Sequence, residues 1–74
     1  MSTIIHNPDE GIGAVVRRRR GELGLNQQDL ADLAQVSRKF VYSLEDGKPS
    51  VQLDKVEAVL GVLGLHLIAA RISQ

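Results

Sequence analysis

Arg38, Lys39, Tyr42 and Ser43 stand within one short segment, S-R-K-F-V-Y-S-L-E-D-G-K at Ser37 to Lys48, whose apolar residues recur at helical spacing. Val41 and Leu44 lie at i and i+3 and must face a core. Arg38, Lys39 and Tyr42 then point the other way, into solvent or into a partner. A short helix that anchors itself with two aliphatics and presents Arg, Lys, Tyr and Ser43 is suited to reading something polar. The major groove of DNA admits one helix, and Arg and Lys match the acceptors of guanine. Two basic residues at a helix start are equally what a solvated face looks like, and spacing alone does not decide between the two. Enzyme chemistry has the least support. The two histidines lie outside this segment, and no nucleophile-base spacing or phosphate loop is present. His6 is a lone imidazole without a ligand partner nearby, so neither a metal nor any other cofactor is expected.

The elements that must position these side chains span Asn26 to Lys48. One helix-period pattern runs from Gln27 to Ala34, with Leu30, Ala31 and Ala34 on one apolar face; Asn26 can cap it, and Asp29 sits in the first turn where the helix dipole favours an acid. The second opens at Ser37, whose hydroxyl can accept from the next turn. It closes at Asp46-Gly47, where glycine can take a left-handed conformation. Two helices around a tight turn make a helix-turn-helix.

In detail the chain resembles the Cro/XRE family of phage-repressor-type helix-turn-helix proteins. L-G-L-N-Q at Leu23 to Gln27, D-L-A at Asp29 to Ala31, V-S-R at Val36 to Arg38 and L-E-D-G-K at Leu44 to Lys48 fit that pattern in register, and the match spreads from Ile12 to Leu65. The resemblance implies a mainly α, lambda-repressor-like four-helix domain that binds double-stranded DNA. It implies base-edge contacts from Arg38, Lys39, Tyr42 and Ser43. It places phosphate contacts at the start of the second helix on Gln27, with Asn26 and Gln28 beside it, and further ones on Ser37 and Lys48. It also implies an ion pair between Arg20 and Glu45 that fastens the first helix to the third. Phe40 either stacks on a thymine methyl or packs against the second helix, the commoner fate of a large apolar side chain. The sequence departs from the family at Arg19, usually apolar, at Asp46, often neutral or basic, and at Gln35, often glycine. If Gln35 needs positive φ, it carries roughly 1 kcal/mol of strain.

With 74 residues the chain makes one domain at the small end of what a single core stabilises, and it has no cysteine to staple it. Nine basic and nine acidic residues cancel, which counts against indiscriminate coating of nucleic acid. The charges are segregated, however: Arg17 to Arg20, Arg38, Lys39 and Lys48 hold seven of the nine positive charges. No transmembrane run or signal peptide is present, and a cytoplasmic location is expected.

Residues 1–7 read as an N-terminal arm around Ile4 and Ile5. The helix-turn-helix domain is expected over 8–64. Its first helix opens at Asn7-Pro8 and runs to Leu23, with Ile12, Val16, Arg20 and Leu23 on one face. Arg19 should lay its stem on the core while its head reaches solvent. Arg17 and Arg18 read as a solvated face. Ser50 can cap a fourth helix from Val51 to Leu63, with Leu53, Val56, Leu60 and Leu63 inward. Residues 65–74 are aliphatic and suggest a strand that needs a partner edge; pairing with a second copy through Leu65, Leu67, Ile68, Ala70 and Ile72 would make a homodimer. A four-helix domain with such a strand, together with S-R-K-F-V at Ser37 to Val41, resembles the HipB-type antitoxins. That resemblance implies a repressor of a palindromic operator that also binds a HipA-type serine/threonine kinase toxin. A stand-alone phage-type regulator, or an interaction module that has lost DNA binding, are the alternatives.

Overall fold

The computed structural model describes residues 11–48 and 52–68. Its helices are α1 (Ile12–Glu22), α2 (Gln27–Ala34), α3 (Arg38–Glu45) and α4 (Leu53–Val62), and among the described residues there is no strand.

Local chemistry sets the bounds of α2 and α3. Asn26 Oδ1 accepts the Asp29 N–H at 2.7 Å and Asp29 Oδ2 accepts the Asn26 N–H at 3.0 Å, a reciprocal capping box. Ser37 Oγ accepts the Phe40 N–H at 3.0 Å and starts α3. The other two starts differ from the sequence expectation. Gly11 is extended (φ −77°, ψ 171°), so α1 begins at Ile12 rather than at Pro8, and Asn7-Pro8 lies outside the described residues. At α4 the capping position falls on Gln52, not on Ser50, and no side chain caps it.

All four helices end alike. The N–H groups of Leu25, Val36, Lys48 and Leu65 reach back to the carbonyls of Arg20, Ala31, Ser43 and Leu60 at 3.1, 3.0, 3.1 and 2.8 Å. Such a bond requires a left-handed residue just before the donor. Gly24, Gly47 and Gly64 supply it at three ends, and Gln35 (φ 59°, ψ 43°) at the fourth.

Every helix contributes aliphatics to one core: Val15 and Val16 from α1, Leu30, Ala31 and Ala34 from α2, Val41 from α3, and Val56, Val59 and Leu60 from α4, extended by Leu63 and Leu65. Two residues assigned to the apolar stripes are exposed. Leu23 is 43% exposed because α1 has ended and the chain is turning at Gly24; Leu25 packs on the core instead. Leu53 is 55% exposed as the first residue of α4, and Val59 completes that stripe. Between α1 and α3 the approach is limited by Gly13, which is buried: a methyl group there would collide with the carbonyl oxygens of Leu44 and Glu45. Leu65 is buried in its own chain's core, Leu67 is half-buried, and His66 and Ile68 are exposed, all without regular structure; the rest of the expected dimerisation strand lies outside the described residues.

Candidate nucleic-acid interface

One face of α3 is held from inside while the other is left to solvent. Val41 is fully buried and Leu44 half-buried, whereas Arg38, Lys39 and Tyr42 are exposed and Ser43 partly so. Arg38, Lys39 and Tyr42 border a shallow depression on that outer face. A groove lies on its flank, between α3 and the start of α4, lined by Lys39, Lys48 and Lys55, by Ser37 and Ser43, and by Phe40. Phe40 packs partly on the core, and the Lys55 Nζ stands 5.8 Å from its ring centroid.

What fastens α3 to the rest is Glu45, the last residue of the helix, whose side chain has no solvent exposure. Arg20 holds it in a fork, Nε to Oε2 at 2.7 Å and Nη2 to Oε1 at 2.9 Å, while Arg20 Nη1 donates to the Leu25 carbonyl at 3.0 Å. Gln27 Nε2 donates to Glu45 Oε1 at 3.2 Å, and the largely exposed Arg17 reaches the same oxygen from 3.5 Å. Burial pushes the Glu45 carboxyl up, but the hydrogen bonds from Arg20 and Gln27, the Arg20 charge and the contact from Arg17 together hold it below the ordinary glutamate value. The hydrogen bond that Arg20 donates to Glu45 correspondingly raises Arg20, against burial. Elements α1, α2 and α3 thus meet on one carboxylate.

Gln27's bond to Glu45 sets the start of α2 beside the last turn of α3. There the amides of Gln27 and Gln28 precede the first intrahelical bond and have no acceptor in the helix, and the side chains of Asn26 and Gln28 are engaged locally, Gln28 with Asp32 Oδ1 at 2.8 Å. Ser37 and Lys48 lie at the two ends of α3, both exposed; Ser37 accepts from Phe40 and so keeps its O–H to donate. Ile68 shares a groove with Ile12, His66 and Leu67 at the start of α1, while Ala70 and Ile72 lie outside the described residues.

Some contacts were not foreseen from the sequence. The Arg19 head does not simply reach solvent: Nε donates to the Leu63 carbonyl at 3.0 Å, and Nη1 pairs with Glu22 at 3.2 Å, so it ties α1 to the end of α4. Gly13 had a signal, since a glycine on a helix's apolar stripe marks a close backbone approach. Lys55 had none, because nothing local places the start of α4 beside α3. Among the described residues no His, Asp and Glu side chains converge as a metal site, and no helix is long and apolar enough to cross a membrane.

The arrangement has counterparts among known proteins. A helix-turn-helix domain family matches residues 12–71. The uncharacterized HTH-type transcriptional regulator y4mF of Sinorhizobium fredii is 49% identical over 56 residues, covering 76% of this chain and 74% of that protein. By this match and by the capped pair α2 and α3 around Gln35, the chain belongs to the helix-turn-helix domain family.

Proposed function

We propose that this chain is a sequence-specific DNA-binding transcriptional regulator of the Cro/XRE type, a repressor that reads a palindromic operator as a homodimer. The observation that carries the reading is the outer face of α3. It presents Arg38, Lys39 and Tyr42 to solvent on a helix whose last residue is locked to α1 and α2. Such a helix enters a major groove without losing its own supports, and Arg38 is the residue proposed for a bidentate contact to guanine. Lys39, Tyr42 and Ser43 are proposed for the neighbouring base edges. The start of α2 offers the Gln27 and Gln28 amides to a phosphate, with Asn26, Ser37 and Lys48 as further backbone contacts. The name of the Sinorhizobium relative supports the regulatory part.

Homodimer formation rests on the aliphatic run from Leu65 to Ile72 and on the exposed Ile68. A chain lacking residues 68–74 is expected to be monomeric; a dimer of unchanged stability in sedimentation would remove that part. The role of antitoxin to a HipA-type serine/threonine kinase toxin rests on the resemblance at Ser37 to Val41 and on the same C-terminal run. Co-expression with a HipA-type kinase tests it, since relief of toxicity and a stable complex are both required.

The deciding experiment for DNA reading is selection of duplexes from a randomised pool. Two half-sites about 34 Å apart, one helical turn, are the expected product. Recovery of no sequence by folded protein would refute the proposal.

A further inference from the structure

We infer that Arg19 is a clasp that lays the chain leaving α4 back along α1, and that assembly of the homodimer depends on this clasp although Arg19 does not line the groove around Ile68. The inference rests on the homodimer reading proposed above and adds a positioning residue to it.

Two contacts fix the course of that chain. Where it leaves α4, Arg19 Nε donates to the Leu63 carbonyl at 3.0 Å, and a methyl group built on Gly64 would stand 3.9 Å from Arg19 Nη2. At its far end His66, Leu67 and Ile68 share a groove with Ile12. Ile12 and Arg19 are separated by about 10 Å along α1 at 1.5 Å per residue. An extended chain from Leu63 to Leu67 covers about 13 Å, so it joins the two places by running antiparallel to α1. Along it Leu65 is buried and Leu67 half-buried, while His66 and Ile68 are exposed. That alternation sets one side of the run on the core and offers the other to a second copy.

Little else holds the run. Leu65 N–H reaches the Leu60 carbonyl at 2.8 Å, but among the described residues the backbone of His66 to Ile68 has no hydrogen-bond partner. The last turn of α4 carries no basic residue of its own, although its terminal carbonyls favour a cation. Arg19 brings one from α1 and anchors the carbonyl just before the turn at Gly64, φ 75°. An aliphatic side chain at position 19 could pack against the end of α4, but it could not hold that carbonyl. Without the clasp the turn leaves the run several directions, and a second copy must then order it on association, which opposes binding.

The test is sedimentation equilibrium of the full chain, with amide exchange read residue by residue on the same proteins. Arg19→Leu should keep wild-type protection in α2 and α3 while the Leu65 amide exchanges faster relative to them. Its dimer dissociation constant should rise about tenfold or more, since each protomer loses a charge-assisted hydrogen bond. Arg19→Lys retains a charged donor and should recover part of that loss. Glu22→Gln removes the exposed ion pair, leaves the bond to Leu63 in place, and should dimerise like the wild type. Should Arg19→Leu not fold, Arg19→Gln, with a neutral donor on a shorter stem, carries the same two readouts. Unchanged dimerisation overturns the inference, as does a weaker dimer in which the Leu65 amide exchanges as in the wild type. A wild type that stays monomeric at every concentration removes the homodimer reading itself, and the role of Arg19 in assembly with it.

Discussion

Arg20→Met removes the guanidinium that holds Glu45 while leaving an apolar stem on α1. Arg20 is 17% exposed in its side chain, and the Glu45 side chain has no exposure. The variant leaves that carboxylate with Gln27 at 3.2 Å and Arg17 at 3.5 Å. Breaking a buried pair from one side costs about 3–5 kcal/mol, because the remaining charge is uncompensated. At about 0.05–0.15 kcal/mol per residue, a chain of 74 residues has roughly 4–11 kcal/mol in total. The substitution therefore removes a large share of the stability. At about 4–8 °C per kcal/mol for a domain of this size, Tm falls by roughly 12 °C or more.

The pH dependence separates this cause from a simple packing defect. In the wild type, burial raises the Glu45 carboxyl, Arg20 and Gln27 lower it, and the net effect is downward. A carboxylate lowered in the folded state contributes stability that is present above its unfolded pKa of about 4.3 and is lost as pH falls through the folded value. Without Arg20, burial is opposed only by Gln27 and Arg17, and the folded pKa rises relative to the wild type. The stability that the lowered carboxylate contributes above its unfolded pKa is reduced accordingly. The stability gap between wild type and Arg20→Met should accordingly be widest near pH 7 and narrow as pH falls from about 6 to about 3. Urea unfolding followed by far-UV circular dichroism, at fixed protein concentration, measures the gap, and carboxylates common to both chains cancel in the difference. The double variant Arg20→Met/Glu45→Leu removes both charges and should recover most of the loss, which keeps the test readable if the single variant does not fold at neutral pH. A gap independent of pH, together with a double variant no more stable than the single one, would refute the pair as the fastening of α3.

Other expectations follow from single residues. Gly13→Ala should lose about 1–3 kcal/mol despite its better helix propensity, because the methyl meets backbone oxygens of α3 that cannot swing aside; a raised urea midpoint would show that α1 and α3 are not in such close contact. Gln35→Gly should gain about 0.5–1 kcal/mol at φ 59° by relieving left-handed strain, less the entropy glycine adds to the unfolded chain; no gain would mean the turn is already relaxed. Asn26→Ala should cost about 1 kcal/mol through loss of the capping box, read from the same unfolding curves. Arg38→Ala should leave folding unchanged and reduce discrimination between the selected operator and one altered at its guanine by about 1–3 kcal/mol in competition binding; equal discrimination would displace Arg38 from base reading.

The residues of the sequence determine by themselves what depends on groups a few positions apart. The extents of α2 and α3 follow from Asn26 with Asp29, from Ser37 with Phe40, and from Gly47, since a cap or a helix-ending bond spans at most five residues. The outward face of α3 follows equally from Val41 and Leu44, because helical periodicity alone sorts a short helix into two sides. Asn7-Pro8 and Ser50 offer local signals of the same kind, yet α1 and α4 begin at Ile12 and Leu53, where no side chain caps them. Leu23 and Leu53 keep the helical period but sit where the core does not reach. Only the packed helices decide that Gly13 must lack a side chain, that Arg19 closes the end of α4, that Gln27 and Arg17 join Arg20 on Glu45, and that Lys55 lies over Phe40. Those contacts join residues distant in the chain, and their free energy depends on desolvation and on the distance between helix axes, neither of which exists before the core has formed.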